Sequence, residues 1–217
     1  MLAASDADKS LHHKVARLLG HVDQVWARNA EKRRRGEADA VQRAEALSVT
    51  DDLTQLYNWR YMQQVLRRET KRALRGNRPL SLLFVDLDGF KSINDSHGHL
   101  FGSRALVESA SVIRASARET DIVARFGGDE FALVLPDTAS DGAVSVGERI
   151  RDRLAAHRFL EGDGLSIALT ASVGVATLPD VAATAEELIQ AADEAMYWVK
   201  SHGKNGIHVA GAEQSGP

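Results

Sequence analysis

The stretch IVARFGGDEFALVL, residues 122–135, decides how this chain folds. Two apolar arms, Ile122 to Phe126 and Phe131 to Leu135, flank Gly127, Gly128, Asp129 and Glu130. β-Branched, aromatic and aliphatic arms around a glycine turn read as an antiparallel β-hairpin. The two glycines let backbone N–H groups approach a phosphate closely. Upstream, LSLLFVDL at 80–87 follows Pro79 and reads as a buried strand that carries Asp86 near its end, with Asp88 two residues on. If the hairpin lies beside this strand, Asp86, Asp88, Asp129 and Glu130 meet at one edge of a sheet. Clustered carboxylates repel unless a cation neutralises them. Hard oxygen donors suit Mg²⁺, with Mn²⁺ as the alternative, and Mg²⁺ completes its shell with water and substrate phosphates. Lys91, Asn94 and His99 follow close behind. Metal-assisted phosphoryl transfer is one reading of this set. Turn formers and caps at strand ends are the other.

Outward from the hairpin, strands and helices alternate. Helical spacing covers Arg60 to Arg75, Ser103 to Ala117, Gly142 to His157 and Ala185 to Ser201, the last ended by His202 and Gly203. Ser166 to Thr177 is β-rich, and Ile207 to Val209 reads as a short final strand. The fold class is α/β (α+β), a central mixed sheet with at least one antiparallel hairpin. No phosphate-loop motif with its lysine occurs, and the order does not fit a doubly wound nucleotide fold. Residues 1–49 form a separate helical segment. Leu11, Val15, Leu18, Val22 and Val25 make a heptad seam, read either as a helix packed on its own domain or as a self-associating coiled coil. Glu31 to Arg35 is a charged run. The domain proper spans 50–210, and 211–217 reads as a frayed tail.

Composition narrows the classes further. The 217 residues carry 27 Lys and Arg against 30 Asp and Glu, a net charge of −3. That near balance argues against duplex DNA as a partner, which calls for a basic surface. The absence of cysteine excludes disulfides, thiol nucleophiles and zinc–thiolate sites. No apolar run reaches the length of a membrane span and no signal peptide opens the chain, so a cytoplasmic protein is expected.

The motifs as a set resemble the GGDEF-domain dinucleotide cyclases. Arg125-Phe-Gly-Gly-Asp-Glu-Phe131 matches the family signature, and Asp52-Leu-Thr-Gln-Leu-Tyr-Asn58 its opening motif. Asp86-Leu-Asp-Gly-Phe-Lys-Ser-Ile-Asn-Asp95 with Gly98 and His99 is similar to its strand-and-loop motif. Thr170 to Val175, Ala192 to Tyr197, Lys200 and Gly203-Lys-Asn205 are similar to its C-terminal motifs. The resemblance implies a palm-like βααββαβ core and a reaction in which two nucleoside triphosphates give a 3′,5′-cyclic dinucleotide and two pyrophosphates. It implies Mg²⁺ held by Asp86, Asp129 and the backbone carbonyl of Leu87. Asp129 is the implied proton acceptor for the 3′-hydroxyl, with Glu130 sharing the task, and Lys91 stabilises the transferring phosphate. Lys200 and Lys204 would hold the β- and γ-phosphates, with Lys204 standing where the family usually has arginine. Gly128 would offer backbone N–H to substrate. Asn94 would read the guanine edge from a substrate-facing loop that also holds His99.

Ser103 departs from the family's usual aspartate in Gly98-His-Leu-Phe-Gly-Ser103. An aspartate there would accept from guanine N1–H and the N2 amine, and would be left unpaired against adenine. A serine hydroxyl donates or accepts. This serine resembles the hybrid promiscuous (Hypr) branch, which makes cyclic AMP-GMP as well as cyclic di-GMP. GTP, and ATP beside it, are then the expected substrates. A strict diguanylate cyclase, an inactive enzyme and a non-catalytic receptor for GTP or cyclic dinucleotide are the alternatives. Arg118-Glu-Thr-Asp121 with Arg149 resembles the family's inhibitory product site. Its bland reading is a surface salt bridge at a helix end. Cyclisation needs two opposed half-sites, so a homodimer is expected, with residues 10–48 as the device that sets it. Gln55 and Trp59 replace a glycine and an arginine common in the opening motif, and Trp59 is expected to pack on the linker helix.

Overall fold

The computed structural model describes residues 49–212 together with Glu31 and Lys32, which are helical. The heptad seam and the proposed dimerisation segment otherwise lie outside the described residues, as does most of the tail. The chain divides into two units between Ser48 and Val49.

The second unit is built on a six-stranded mixed sheet. Its elements run β1 (Tyr57–Asn58), α1 (Trp59–Gly76), β2 (Leu80–Asp88), α2 (Phe90–His97), α3 (His99–Ser116), β3 (Ile122–Gly127), β4 (Glu130–Pro136), α4 (Ser140–Ala156), a 3₁₀ turn at Glu161–Asp163, β5 (Thr170–Leu178), α5 (Ala185–Ser201) and β6 (Ile207–Val209). From β2 to β5 this is the expected βααββαβ order. The strands lie in the order β1-β3-β4-β2-β5-β6. The two outer pairs, β1 with β3 and β5 with β6, are parallel, and the inner three ladders are antiparallel.

β2 is central and buried along its whole length, which is why it reads as a continuous apolar run rather than an alternation. Its Leu83, Val85 and Leu87 pack with α2, α3 and α4 on one side. Its Leu80, Leu82 and Phe84 pack with α1 and α5 on the other. The result is a three-layer sandwich with a core on each face of the sheet. Local chemistry sets the helix ends. Asn58 caps α1 by accepting from Tyr61 N, and Asn77 closes that helix in the left-handed conformation. Thr184 caps α5 by accepting from Glu187 N, while Glu187 accepts from Ala183 N at 2.8 Å. At Gly174 a Cβ would run into the α5 backbone at Ala192 O and Met196 N. Glycine there is what lets α5 lie directly on β5.

The helix α2 corrects the sequence expectation. Asn94 and His99, expected on a substrate-facing loop, lie on helices: residues 90–97 form an eight-residue helix that starts after Gly89 in the left-handed region (φ 78°). Asn94 is therefore a helical residue, and His99 is the first residue of α3.

Candidate active site

The β2–β4 register sets Asp86 directly opposite Glu130. Alternation along each strand turns both toward the α5 face, since Phe84 and Ala132, two residues away, belong to that core. Lys200, in the last turn of α5, donates from Nζ to Asp86 Oδ2 at 2.8 Å. Burial raises the Asp86 carboxyl above its ordinary value; Lys200 partly offsets this, and the neighbouring charges of Asp129 and Asp88 add to the rise. Glu130 is raised for the same reasons, burial first and then the charge of Asp86. Burial works against the charge of Lys200, but its hydrogen bond and attraction to Asp86 outweigh that and push its ammonium upward.

Asp88 does not join this group. It accepts from Thr170 Oγ1 at 2.8 Å, from Ser172 Oγ at 2.7 Å and from Asn205 N at 2.9 Å. Its carboxylate is spent as a latch between β2, β5 and the loop after α5.

Asp129 sits in the hairpin turn, and its backbone carbonyl accepts from Leu87 N at 3.2 Å. Asp129 and Gly128 line an open cleft of about 370 Å³ together with Lys91 and Asn94 of α2 and His99 and Ser103 of α3. Gly102 explains the fit of the two helices. A Cβ there would overlap Asn94 Oδ1 and stand 3.3 Å from Phe90 Cζ. The structure thus gathers the expected residues into two groups at one end of the sheet: Asp86, Glu130 and Lys200 over the α5 face, and Lys91, Asn94, His99, Ser103, Gly128 and Asp129 around the cleft. Lys204 is exposed on the loop after α5, with φ 62°.

Among the described residues no three His, Asp or Glu side chains close into a metal site of their own. A cation at Asp86, Asp129 and the Leu87 carbonyl would draw the rest of its shell from water and phosphates. That incomplete all-oxygen donor set fits Mg²⁺.

The turn is fixed from both sides by residues that sequence reasoning missed. Arg125 donates from Nε and Nη2 to Gly128 O at 3.1 and 2.8 Å, and from Nη1 to both oxygens of Asp51 at 3.3 and 3.2 Å. Asp51 also accepts from Thr54 N and Oγ1. Burial opposes its charge, yet the Thr54 and Arg125 bonds outweigh that and hold its carboxyl below the usual range. The Asp–x–x–Thr spacing at 51–54 was the signal available for this turn. On the other face Phe126 meets Trp59 edge-on at 4.6 Å and Phe84 at 5.3 Å between ring centroids. Trp59 therefore packs on the hairpin and on Phe84. Gln55 holds the left-handed conformation (φ 58°), which a glycine adopts freely, and its Nε2 donates to Asp52 O.

The residues expected to form a product site are only partly free. Asp121 is buried and accepts from Arg118 N at 2.7 Å. Arg149 donates from Nε and Nη2 to Ser116 O, closing the end of α3. The Arg118 side chain is exposed beside them.

Comparison with known proteins agrees with this geometry. Residues 48–206 match the family described as "Diguanylate cyclase, GGDEF domain". The chain is 40% identical over 162 residues to the response regulator PleD of Caulobacter vibrioides, covering 74% of this chain and 36% of PleD. It is 38% identical to diguanylate cyclase DosC of Escherichia coli K12, covering 73% of this chain and 34% of DosC. The crystal structure of the GGDEF domain of DgcB from Caulobacter crescentus in complex with c-di-GMP superposes with a TM-score of 0.72 at 30% identity, covering 76% of this chain and 94% of that one. The chain spans about a third of the length of the first two relatives.

Proposed function

This chain belongs to the GGDEF-domain diguanylate cyclase family, and we propose that it joins two molecules of GTP into cyclic di-GMP with release of two pyrophosphates. The observation that carries this reading is the meeting of Asp86, Asp129 and Glu130 at the sheet end beside a cleft lined by Lys91, Asn94 and Ser103. Guanine enters the cleft against Asn94 of α2, and its ribose and α-phosphate lie toward Gly128 and Asp129. Mg²⁺ held by Asp86, Asp129 and the Leu87 carbonyl supplies Lewis-acid stabilisation of the phosphate charge when bound. The Asp129 carboxylate accepts the proton of the 3′-hydroxyl, with Glu130 beside it. The 3′-oxygen forms its new bond to the α-phosphorus of the opposed nucleotide as the bond to the β-phosphate oxygen breaks. Lys91 neutralises charge on the transferring phosphate, and Lys200 and Lys204 hold the departing pyrophosphate. One cleft per chain holds one nucleotide, so two ester bonds call for a homodimer, set by the segment before residue 50. Such chemistry belongs in the cytoplasm, where GTP is available. Arg118, with Asp121 and Arg149 fixing its loop, is the candidate point of product inhibition.

A second reading rests on Ser103 itself, which lines the cleft. A neutral hydroxyl there does not repel adenine N1, and this favours cyclic AMP-GMP as an additional product from GTP and ATP. Incubation with GTP, with ATP and with their mixture in Mg²⁺, followed by chromatography of the products, tests both readings. Cyclic di-GMP from GTP alone supports the first, and mixed product from the mixture supports the second. No pyrophosphate release under any condition refutes both and leaves a receptor.

A further inference from the structure

Lys200 has two claims on it that cannot be met together. Its Nζ is bonded to Asp86 Oδ2 at 2.8 Å. Yet its place near the acid cluster also suits it to the phosphate tail of a nucleotide, the role it has in the proposed function above, on which this inference rests. Asp86 is only 8% exposed at its side chain, and the more exposed ammonium covers one of its oxygens. The same ammonium faces Glu130 and Asp129, whose charges also act on it. In this arrangement Lys200 does what a cation would do there: it neutralises a buried acid and offsets the repulsion among three carboxylates.

A divalent ion on Asp86 would stand within a few ångströms of this ammonium and be repelled by it. The repulsion is relieved if Lys200 swings away, and a bound polyphosphate gives the freed ammonium a stronger partner than water does. We propose that Lys200 is a positioning residue that acts as a resident stand-in cation, so that divalent metal and triphosphate bind as a coupled pair. The metal takes Asp86 from Lys200, and the triphosphate takes Lys200 from Asp86. Metal alone then binds weakly, because it must break the ion pair between Lys200 and Asp86 with no phosphate to receive the ammonium. Coupling of this kind is reciprocal, so the metal strengthens triphosphate binding by the same factor through Lys200.

The test uses the full chain, Mn²⁺ as the paramagnetic probe, and a GTP analogue with a methylene group between the α- and β-phosphorus atoms, which cannot release pyrophosphate. Bound and free Mn²⁺ are separated by electron paramagnetic resonance at alkaline pH, above the carboxylate range. The Lys200→Met variant is expected to bind Mn²⁺ alone about tenfold more tightly than the unaltered chain, and to lose about tenfold of the enhancement that the analogue gives. Asp86→Asn is expected to lose the Mn²⁺ site in both backgrounds. Equal Mn²⁺ affinity with and without the lysine, or an unchanged enhancement by the analogue, overturns the exchange while leaving the cyclase reading intact. Mn²⁺ binding that persists in Asp86→Asn overturns it as well. If the unaltered chain binds the analogue but no Mn²⁺ even in its presence, the metal site of the proposed function fails, and the exchange with it.

Discussion

Asp86 on β2 and Glu130 on β4 face each other across a single rung of the sheet. Burial raises both carboxyls, and neighbouring charges add to the rise, Asp86 at Glu130 and Asp129 with Asp88 at Asp86, so the folded chain binds protons at these sites more readily than the unfolded chain does. Their contribution is therefore most favourable below the ordinary carboxylate range and is lost as pH rises through their raised values. Glu130→Gln removes one of the two charges. The metal-free variant is expected to melt about 2–4 °C higher than the unaltered chain at neutral pH, with the difference vanishing in acid. Calorimetric melting across the acid range checks this, and a variant that melts lower at neutral pH contradicts it.

Gly102 admits the Asn94 side chain between α2 and α3. Gly102→Ala is expected to push Asn94 out of its rotamer and raise KM for GTP by about tenfold, the scale of a lost hydrogen bond to a base. Because Asp86, Asp129 and Glu130 lie on other elements, kcat should change much less. Steady-state kinetics with GTP would decide it, and an unchanged KM would remove Asn94 from base recognition.

Trp59 braces the face of the hairpin away from Arg125, through Phe126. Trp59→Ala is expected to lower kcat about tenfold while KM for GTP stays within about twofold, because the turn carrying Asp129 loses its backing and the base pocket does not. Trp59→Phe, which keeps an aromatic edge for Phe126, is expected to restore most of the rate. A proportional loss of kcat and thermal stability in both variants would mean that the ring serves folding alone.

Ser103 is the position at which base choice should be adjustable. Ser103→Asp is expected to shift products toward cyclic di-GMP by about tenfold or more when GTP and ATP compete, since an aspartate facing adenine is left unpaired. Chromatographic product ratios measure the shift. An unchanged ratio would place base discrimination elsewhere in the cleft.

The hairpin and β2 were legible because their signals are local. Apolar arms around Gly127 and Gly128 leave few other readings, and a buried central strand needs only its own apolar run. The helix α2 was not legible: eight residues between Gly89 and Gly98, with no side-chain cap at its start, give periodicity little to work on. The latch at Asp88 was hidden for a different reason. Its partners Thr170, Ser172 and Asn205 lie 82, 84 and 117 residues away, so its spare carboxylate looked the same in sequence as that of Asp86. The brace at Trp59 was invisible because Phe84 and Phe126 reach it only once β2 and β3 share a sheet.

The division of the site between the two faces of the sheet bears on how such proteins diversify. The helices α2 and α3, which carry Asn94, Gly102 and Ser103, line the cleft from one layer, while Asp86, Glu130 and Lys200 belong to the other. On the proposed function, a change at Asn94 or Ser103 alters which letter of the nucleotide alphabet is accepted while leaving Asp86 and Glu130 untouched, and of the helix α2 only Lys91 belongs to the bond exchange. On that reading, messenger identity and catalytic competence are separately heritable traits, and a lineage changes its signal without first passing through a dead enzyme.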